Sequence, residues 1–367
     1  MKAKGLWRIV SIMAVFSLLF GFLGCRKEKN VNLTPPPTGH ELLLKAFEES
    51  GGETVDAVCE REVVGISLEM FVWWGQNIPD YYRLWWPEMH FVEERHMTPE
   101  GEIRGIIKEM IWPYYTEFII LIDHDGVMEF LSPDGEVMGA VYGSVTPTSK
   151  GVLIKAVHTL PAKTPQSFID ALEDHFHDEV QDLPRFLPEL YENPELYEQP
   201  PTGHDVLHEA YKASEGDVVE LIVDQEIAGI TMEMWDWWAI NGVENYRLWW
   251  PEMHFVNEMS MTPYGPRITI KEMIWPYYTE FCLSIIEGGA GFMSPDNEVM
   301  GQLTHTLKET PGGIKIHSVA VLPAMTPQSF VDALEAHINY EMQDLKRFLP
   351  ELYAQKTGNL QRAILGR

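Results

Sequence analysis

Apolar and polar positions along the chain fall into the same pattern twice. In residues 41–49, Leu42, Leu43, Ala46 and Phe47 recur at helical spacing. Residues 55–66 are rich in valine and isoleucine and predict a strand. Ser67, and Thr231 in the second half, stand where a helix N-cap belongs, ahead of the tryptophan pairs Trp73-Trp74 and Trp237-Trp238. A second short helix, stopped near Pro87, is expected next. From Arg104 onward, β-like runs cover 105–110, 114–122, 127–131, 137–142 and 152–158. Turn signals such as Pro133-Asp134-Gly135 separate them, as in an antiparallel meander. A long helix closes the unit, with Thr164 as cap and Pro165 at its first position. Phe168, Leu172, Phe176 and Val180 make one apolar stripe on it, repeated by Phe330, Leu334, Ile338 and Met342.

The repetition is literal in places. Tyr-Arg-Leu-Trp-Trp-Pro-Glu-Met-His-Phe occupies 82–91 and again 246–255, an offset of 246 − 82 = 164 residues. That period is too long for a solenoid, so each copy belongs to its own domain-sized unit. The expected divisions are a signal segment at 1–24, a linker at 25–37, repeats at 38–198 and 199–355, and a tail at 356–367. Helices, an antiparallel sheet and then a long amphipathic helix is the order of an α+β helix-grip fold. In it a curved antiparallel sheet wraps the last helix and leaves a cavity between them.

Composition narrows the partners. Of 367 residues, 45% are hydrophobic and 11% aromatic, enough for sizeable cores, and 12 Trp with 18 Met suggest apolar pockets as well. The net charge of −28 argues against nucleic acid or an anionic membrane surface, which need clustered cations. Lys2, Lys4 and Arg8 precede an apolar run over 9–23 that ends at Gly24-Cys25, the layout of a secretory signal. Cys25 after Gly24 resembles the lipobox of bacterial lipoproteins, which implies an exported chain anchored in the cell envelope through lipid on Cys25. An uncleaved transmembrane anchor is the alternative. Cys59 and Cys282 do not match between repeats and read as buried small hydrophobes.

Of 13 histidines, three pairs match between the halves: His40 with His204, His90 with His254, and His175 with His337. His40 and His204, at a helix start after proline-rich linkers, read as capping or surface residues. His175 and Glu179 are four apart on the closing helix, as are His337 and Glu341, so each pair shares a face and can reach one ion. That face flanks the apolar stripe, where a carboxylate and a neutral imidazole need a partner such as a divalent cation. The run Lys-Glu-Met-Ile-Trp-Pro-Tyr-Tyr-Thr-Glu-Phe, at 108–118 and 271–281, adds Glu109 and Glu117, matched by Glu272 and Glu280. Pro113 is expected to interrupt that strand, so alternation alone leaves open which acid faces inward.

The tryptophan–proline–histidine stretch, the Glu–aromatic strand and the His-x-x-x-Glu helix together resemble the 2,4-diacetylphloroglucinol hydrolase and phloretin hydrolase family. The resemblance implies a Bet v1/START-like domain with a catalytic zinc on two His and two Glu, hydrolysing a carbon–carbon bond between an acyl group and a phenolic ring. Carried over, it implies one Zn2+ per repeat, on His90, Glu117, His175 and Glu179, and on His254, Glu280, His337 and Glu341. Glu117 is preferred to Glu109 there because its setting is closer to the family's strand. Tyr82 and Tyr246 match a tyrosine that contacts substrate hydroxyls, and Asn257 matches a polar substrate contact where the first repeat has Glu93. The offset of 85 residues from His90 to His175 is shorter than in those enzymes, so pocket-lining loops are expected to be missing. A zinc ion would lower the pKa of water and polarise the acyl carbonyl. A binding protein for small aromatic or apolar ligands, with a non-catalytic metal site, is the other reading. A third reading makes the second repeat a packing partner for the first, in a pseudo-dimer with one working site.

Overall fold

A computed structural model describes residues 33–358. The signal segment, Cys25 and most of the tail lie outside those residues. The first repeat opens with α1 (Gly39–Ser50), β1 (Thr54–Val64) and α2 (Leu68–Trp85). The strands β2 (His90–Met97), β3 (Ile103–Ile111), β4 (Tyr114–Ile122), β5 (Met128–Leu131), β6 (Val137–Pro147) and β7 (Gly151–Pro161) follow, closed by α3 (Gln166–Glu192). The second repeat runs in the same order: α4 (Gly203–Ala213), β8 (Val218–Ala228), α5 (Met232–Trp249), β9 (His254–Thr262) and β10 (Gly265–Ile274). It continues with β11 (Tyr277–Ile286), β12 (Gly289–Met293), β13 (Val299–Thr310), β14 (Gly313–Pro323) and α6 (Gln328–Thr357). Each repeat is thus one seven-stranded sheet, ordered β1-β7-β6-β5-β4-β3-β2 and β8-β14-β13-β12-β11-β10-β9, with its closing helix packed against it. Every neighbouring pair is antiparallel. The fold is the α+β tandem helix-grip arrangement that the element order predicts. Among the described residues, no helix is long and apolar enough to cross a membrane.

Local chemistry accounts for the elements and for three departures from expectation. Thr38 with Glu41 and Thr202 with Asp205 form capping boxes at the starts of α1 and α4. Thr38 and Thr202 therefore do the capping, and His40 and His204 lie inside the first turn, half-buried. Ser67 and Thr231 accept from the amides of Met70 and Met234, both at 3.2 Å, as N-caps of α2 and α5. Those helices, however, run unbroken from the cap to Trp85 and Trp249, so no separate second helix exists. Pro87 falls beyond the helix end, and the signature stretch passes directly into β2. That strand was hidden because His-Phe-Val-Glu-Glu-Arg-His-Met lacks apolar alternation: a bulge between His90 and Val92 shifts the register, so that Phe91 packs in the core between the repeats while Glu93 is buried against Arg95. Finally, α3 begins one residue later than expected, with Pro165 at the N-cap and no side-chain cap.

Inside each grip the helix stripe is buried, Phe168, Leu172 and Val180 against Trp74, Leu183 and Leu187 in one core cluster. Trp74 is edge-on to both Trp85 (5.1 Å) and Phe186 (5.3 Å), so α2 is keyed to α3 through aromatic contacts.

The two repeats meet through a smaller core of their own: Phe91, Met110 and Tyr115 with Phe255, Met273 and Tyr278. Phe91 stacks on Tyr278 and Phe255 on Tyr115, each at 4.7 Å. The contact is reciprocal, as in a two-fold interface. Lys108 Nζ donates to Glu280 at 2.6 Å and Lys271 Nζ to Glu117 at 2.6 Å.

Candidate metal and ligand site

The closing helix, one hairpin and the signature stretch bring two histidines and two glutamates together in each repeat. His90 begins β2, Glu109 lies on β3, and His175 and Glu179 project from α3. His90 is fully buried and His175 nearly so. His90 Nε2 lies 3.4 Å from Glu179 Oε1, and His175 Nε2 lies 3.7 Å from Glu109 Oε2. The second repeat is more tightly convergent. His254 Nε2 is 3.8 Å from Glu272 Oε2 and 3.4 Å from Glu341 Oε2; His337 Nε2 is 3.7 Å and 3.5 Å from the same two atoms. These separations are too long for hydrogen bonds. They suit the edges of a tetrahedral shell, about 3.3 Å for ligand bonds of ~2.0 Å. His90, His175, and His254 leave both ring nitrogens buried without a hydrogen-bond partner, as does His337 at Nε2.

The third acid is Glu109, not Glu117, and Glu272, not Glu280. Pro113 interrupts the strand as expected, and Trp112-Pro113 forms the turn of a hairpin between β3 and β4. In that register Lys108 opposes Glu117 and Glu109 opposes Thr116. Opposed residues share a face and adjacent ones do not, so Glu109 enters the grip while Glu117 leaves it. Glu117 and Glu280 instead pair with Lys271 and Lys108 across the repeat interface.

The signature stretch supplies the supports. Tyr82 stacks on His90 at 4.3 Å and donates to Glu109 Oε2 at 2.5 Å. Tyr246 stacks on His254 at 4.2 Å and donates to Glu272. Trp85 Nε1 donates to the carbonyl of Glu179 at 2.8 Å, tying α2 to the helix turn that carries the acid. Trp86 lies flat on His175 and Trp250 flat on His337. The tryptophans therefore hold imidazoles in place. Asn257 keeps a buried Oδ1 without a hydrogen-bond partner.

Electrostatics divide the four groups. Burial pushes the Glu179 carboxyl up to about 8, with Glu109 and Glu93 adding to the rise against the His175 charge. Burial also acts to raise Glu109, but His175, His90 and the Tyr82 hydroxyl outweigh it and bring it down to about 2. Burial pulls His90 down to about 3, while Glu109 raises His175 against its own burial. The second repeat repeats the pattern for Glu272, brought down to about 2, and for His337, which is raised.

No protein-family model matches the chain, and no curated protein matches it. Among solved structures, the di-domain ARO/CYC BexL from the BE-7585A biosynthetic pathway is similar over 82% of this chain and 97% of its own, at 10% identity and a TM-score of 0.25. The di-domain ARO/CYC StfQ from the steffimycin biosynthetic pathway covers 85% of this chain and 96% of its own, at 11% identity and a TM-score of 0.23. Ara h 8.0201 covers 36% of this chain and 98% of its own, at 10% identity and a TM-score of 0.29. The chemistry of the site rests on its own geometry.

Two further features escaped the sequence reading. Cys59 is buried as expected, but its Sγ lies 4.0 Å from His158 Nδ1, a contact replaced by Val223 and Ala320 in the second repeat. Cys282 is only half-buried and lines a cleft of about 530 Å³ between the repeats, with Arg83, Lys108, His204 and Glu280. None of the clustered His or Glu residues lines that cleft.

Proposed function

We propose that each repeat holds one zinc ion, on His90, Glu109, His175 and Glu179 and on His254, Glu272, His337 and Glu341. On that basis the chain is a hydrolase cleaving the carbon–carbon bond between an acyl group and a phenolic ring, or a related diketone-like compound. The observation that carries the reading is the set of buried, unpartnered imidazole nitrogens facing carboxylates in both repeats. Leaving each such nitrogen unsatisfied costs about 1–3 kcal/mol, and one shared cation removes several of these costs at once. Mixed imidazole and carboxylate donors suit zinc better than calcium or magnesium.

When bound, the ion would supply Lewis acidity toward an acyl carbonyl and a more acidic water. The chain's own residues then orient and shield. Tyr82 and Tyr246 fix the carboxylates through hydrogen bonds, and Trp86 and Trp250 fix the second imidazole of each set. In the second repeat the free Oδ1 of Asn257 is available to accept from a substrate hydroxyl. The resemblance to the phloroglucinol and phloretin hydrolases supplies the substrate class.

Metal content of the purified chain tests the first half. Two equivalents of zinc are expected, falling to one in His175→Ala, Glu179→Ala. A chain that stays free of transition metal after zinc-replete purification would leave a carrier of apolar ligands. Hydrolysis of mono- and diacylated phloroglucinols, compared with phloretin, tests the second half.

A further inference from the structure

The two repeats differ where the helix after the first strand crosses the start of the next one. In α2, Pro79 has no N–H, so the carbonyl of Gly75, four residues earlier, loses its helical partner. Arg95 on β2 takes up that carbonyl, with Nη1 donating at 3.3 Å. Its Nε donates to Glu93 Oε1 at 2.5 Å, and its Nη2 pairs with the same carboxylate. Glu93 is buried and acts electrostatically on both Tyr82 and Glu179, which places it beside the first His–Glu cluster. Helix, strand and site are thereby tied by one charged chain.

Nothing equivalent exists in the second repeat. At the 164-residue offset, Val243 replaces Pro79, so no carbonyl is freed, and Asn257 and Met259 replace Glu93 and Arg95. The same helix and strand carry Ile240, Met259 and Met261, with Tyr264 at the turn beyond, all between 54% and 81% exposed. The first repeat has Gln76, Arg95, Met97 and Glu100 at these positions. Beside the first cluster lies a buried ion pair that ties strand to helix; at the matching positions the second repeat carries uncharged side chains and no tie. Seating an uncharged aromatic ring beside the second cluster loses no ion-pair contacts, whereas seating it beside the first must disturb the Glu93–Arg95 pair.

We infer that Glu93 and Arg95 are specificity-determining residues: they close the first repeat to uncharged acylated phenols, which only the second repeat admits. The inference rests on the proposed function for the class of ligand, and on the structure alone for the difference between the two repeats. The test is an exchange of the determinants, read by tryptophan fluorescence on titration with monoacetylphloroglucinol, with zinc content and hydrolysis measured in parallel. The unaltered chain should bind one equivalent. Pro79→Val, Glu93→Asn, Arg95→Met installs groups that the second repeat already accommodates and should add a second equivalent. Asn257→Glu, Met259→Arg should weaken the original binding at least tenfold, with zinc content unchanged in both variants. Two equal equivalents in the unaltered chain, no binding at all, or a stoichiometry unmoved by the exchange would overturn the inference. Binding that follows the exchange without hydrolysis in any variant would sink the hydrolase reading and leave this one standing.

Discussion

Glu109 and Glu117 share a conserved-looking run within the chain, and only the hairpin register separates their roles. A glutamine at 109 keeps the shape but removes the charge that faces His175, so Glu109→Gln should lower zinc affinity of the first site far more than Glu117→Gln. Isothermal titration with the metal-stripped chain reads this directly, and equal losses would contradict the assignment. Tyr82→Phe removes the hydrogen bond that orients Glu109, and losses of about 10–100-fold in metal affinity are typical for such supports. His158 gives a residue-scale expectation in pH. Burial pulls its imidazole down from 6.5 to about 4. The unfolded chain therefore takes up the proton first: this contribution to stability is complete above pH 6.5 and is lost as pH falls toward 4. The loss amounts to roughly 3 kcal/mol by pH 4. Cys59→Val, His158→Ala, which copies the second repeat, should flatten that acid limb in urea melts at pH 7, 6, 5 and 4.

At the scale of elements, legibility followed the strength of the periodic signal. The closing helices, with an apolar residue every four positions, and the valine-rich outer strands are readable because burial on one face leaves a regular trace. β2 and β9 are not readable, because a bulge next to their histidines breaks the alternation and only their first residues are buried, the rest running out into exposed side chains. Hairpin parity explains the mistaken acid. Thr-Glu-Phe looks like a site strand, yet its glutamate serves the interface, and a hairpin closed by Trp-Pro reverses the parity that a continuous strand would give. His175 and Glu179 stand out by their i, i+4 spacing, and His90 by its matched position in the two copies, its place in the ligand set being only what the family resemblance implies; the partners of Glu117 and Glu280 lie more than 150 residues away and leave no local mark. Strand-level pairing can be tested at Lys108 and Glu280. Their carboxylate partner is 38% exposed at its side chain, so solvent screening limits the pair to about 1 kcal/mol. A double-mutant cycle on Lys108→Ala and Glu280→Ala should return a coupling of that size, and additive losses would deny the contact.

On the scale of the whole molecule, the reciprocal interface ties the two clusters to one another. Four of the six shared-core residues neighbour a site residue in the chain: Phe91 follows His90, Met110 follows Glu109, and Phe255 and Met273 follow His254 and Glu272. The strands that form the sites are the strands that form the contact. Removing one repeat would expose Phe91, Met110 and Tyr115 on the other, an apolar patch flanked by one lysine and one glutamate. Because Lys108 and Glu117 occupy the positions of Lys271 and Glu280, that patch is complementary to itself. Residues 33–198 alone should therefore dimerise, Lys108 of one copy facing Glu117 of the other. Sedimentation velocity would show a dimer at micromolar concentration. Lys108→Glu should shift it to monomer by placing like charges opposite, and adding Glu117→Lys should bring the dimer back. A monomeric fragment, or a dimer indifferent to both changes, would mean that the shared aromatic core depends on the differences between the repeats and not on what they have in common.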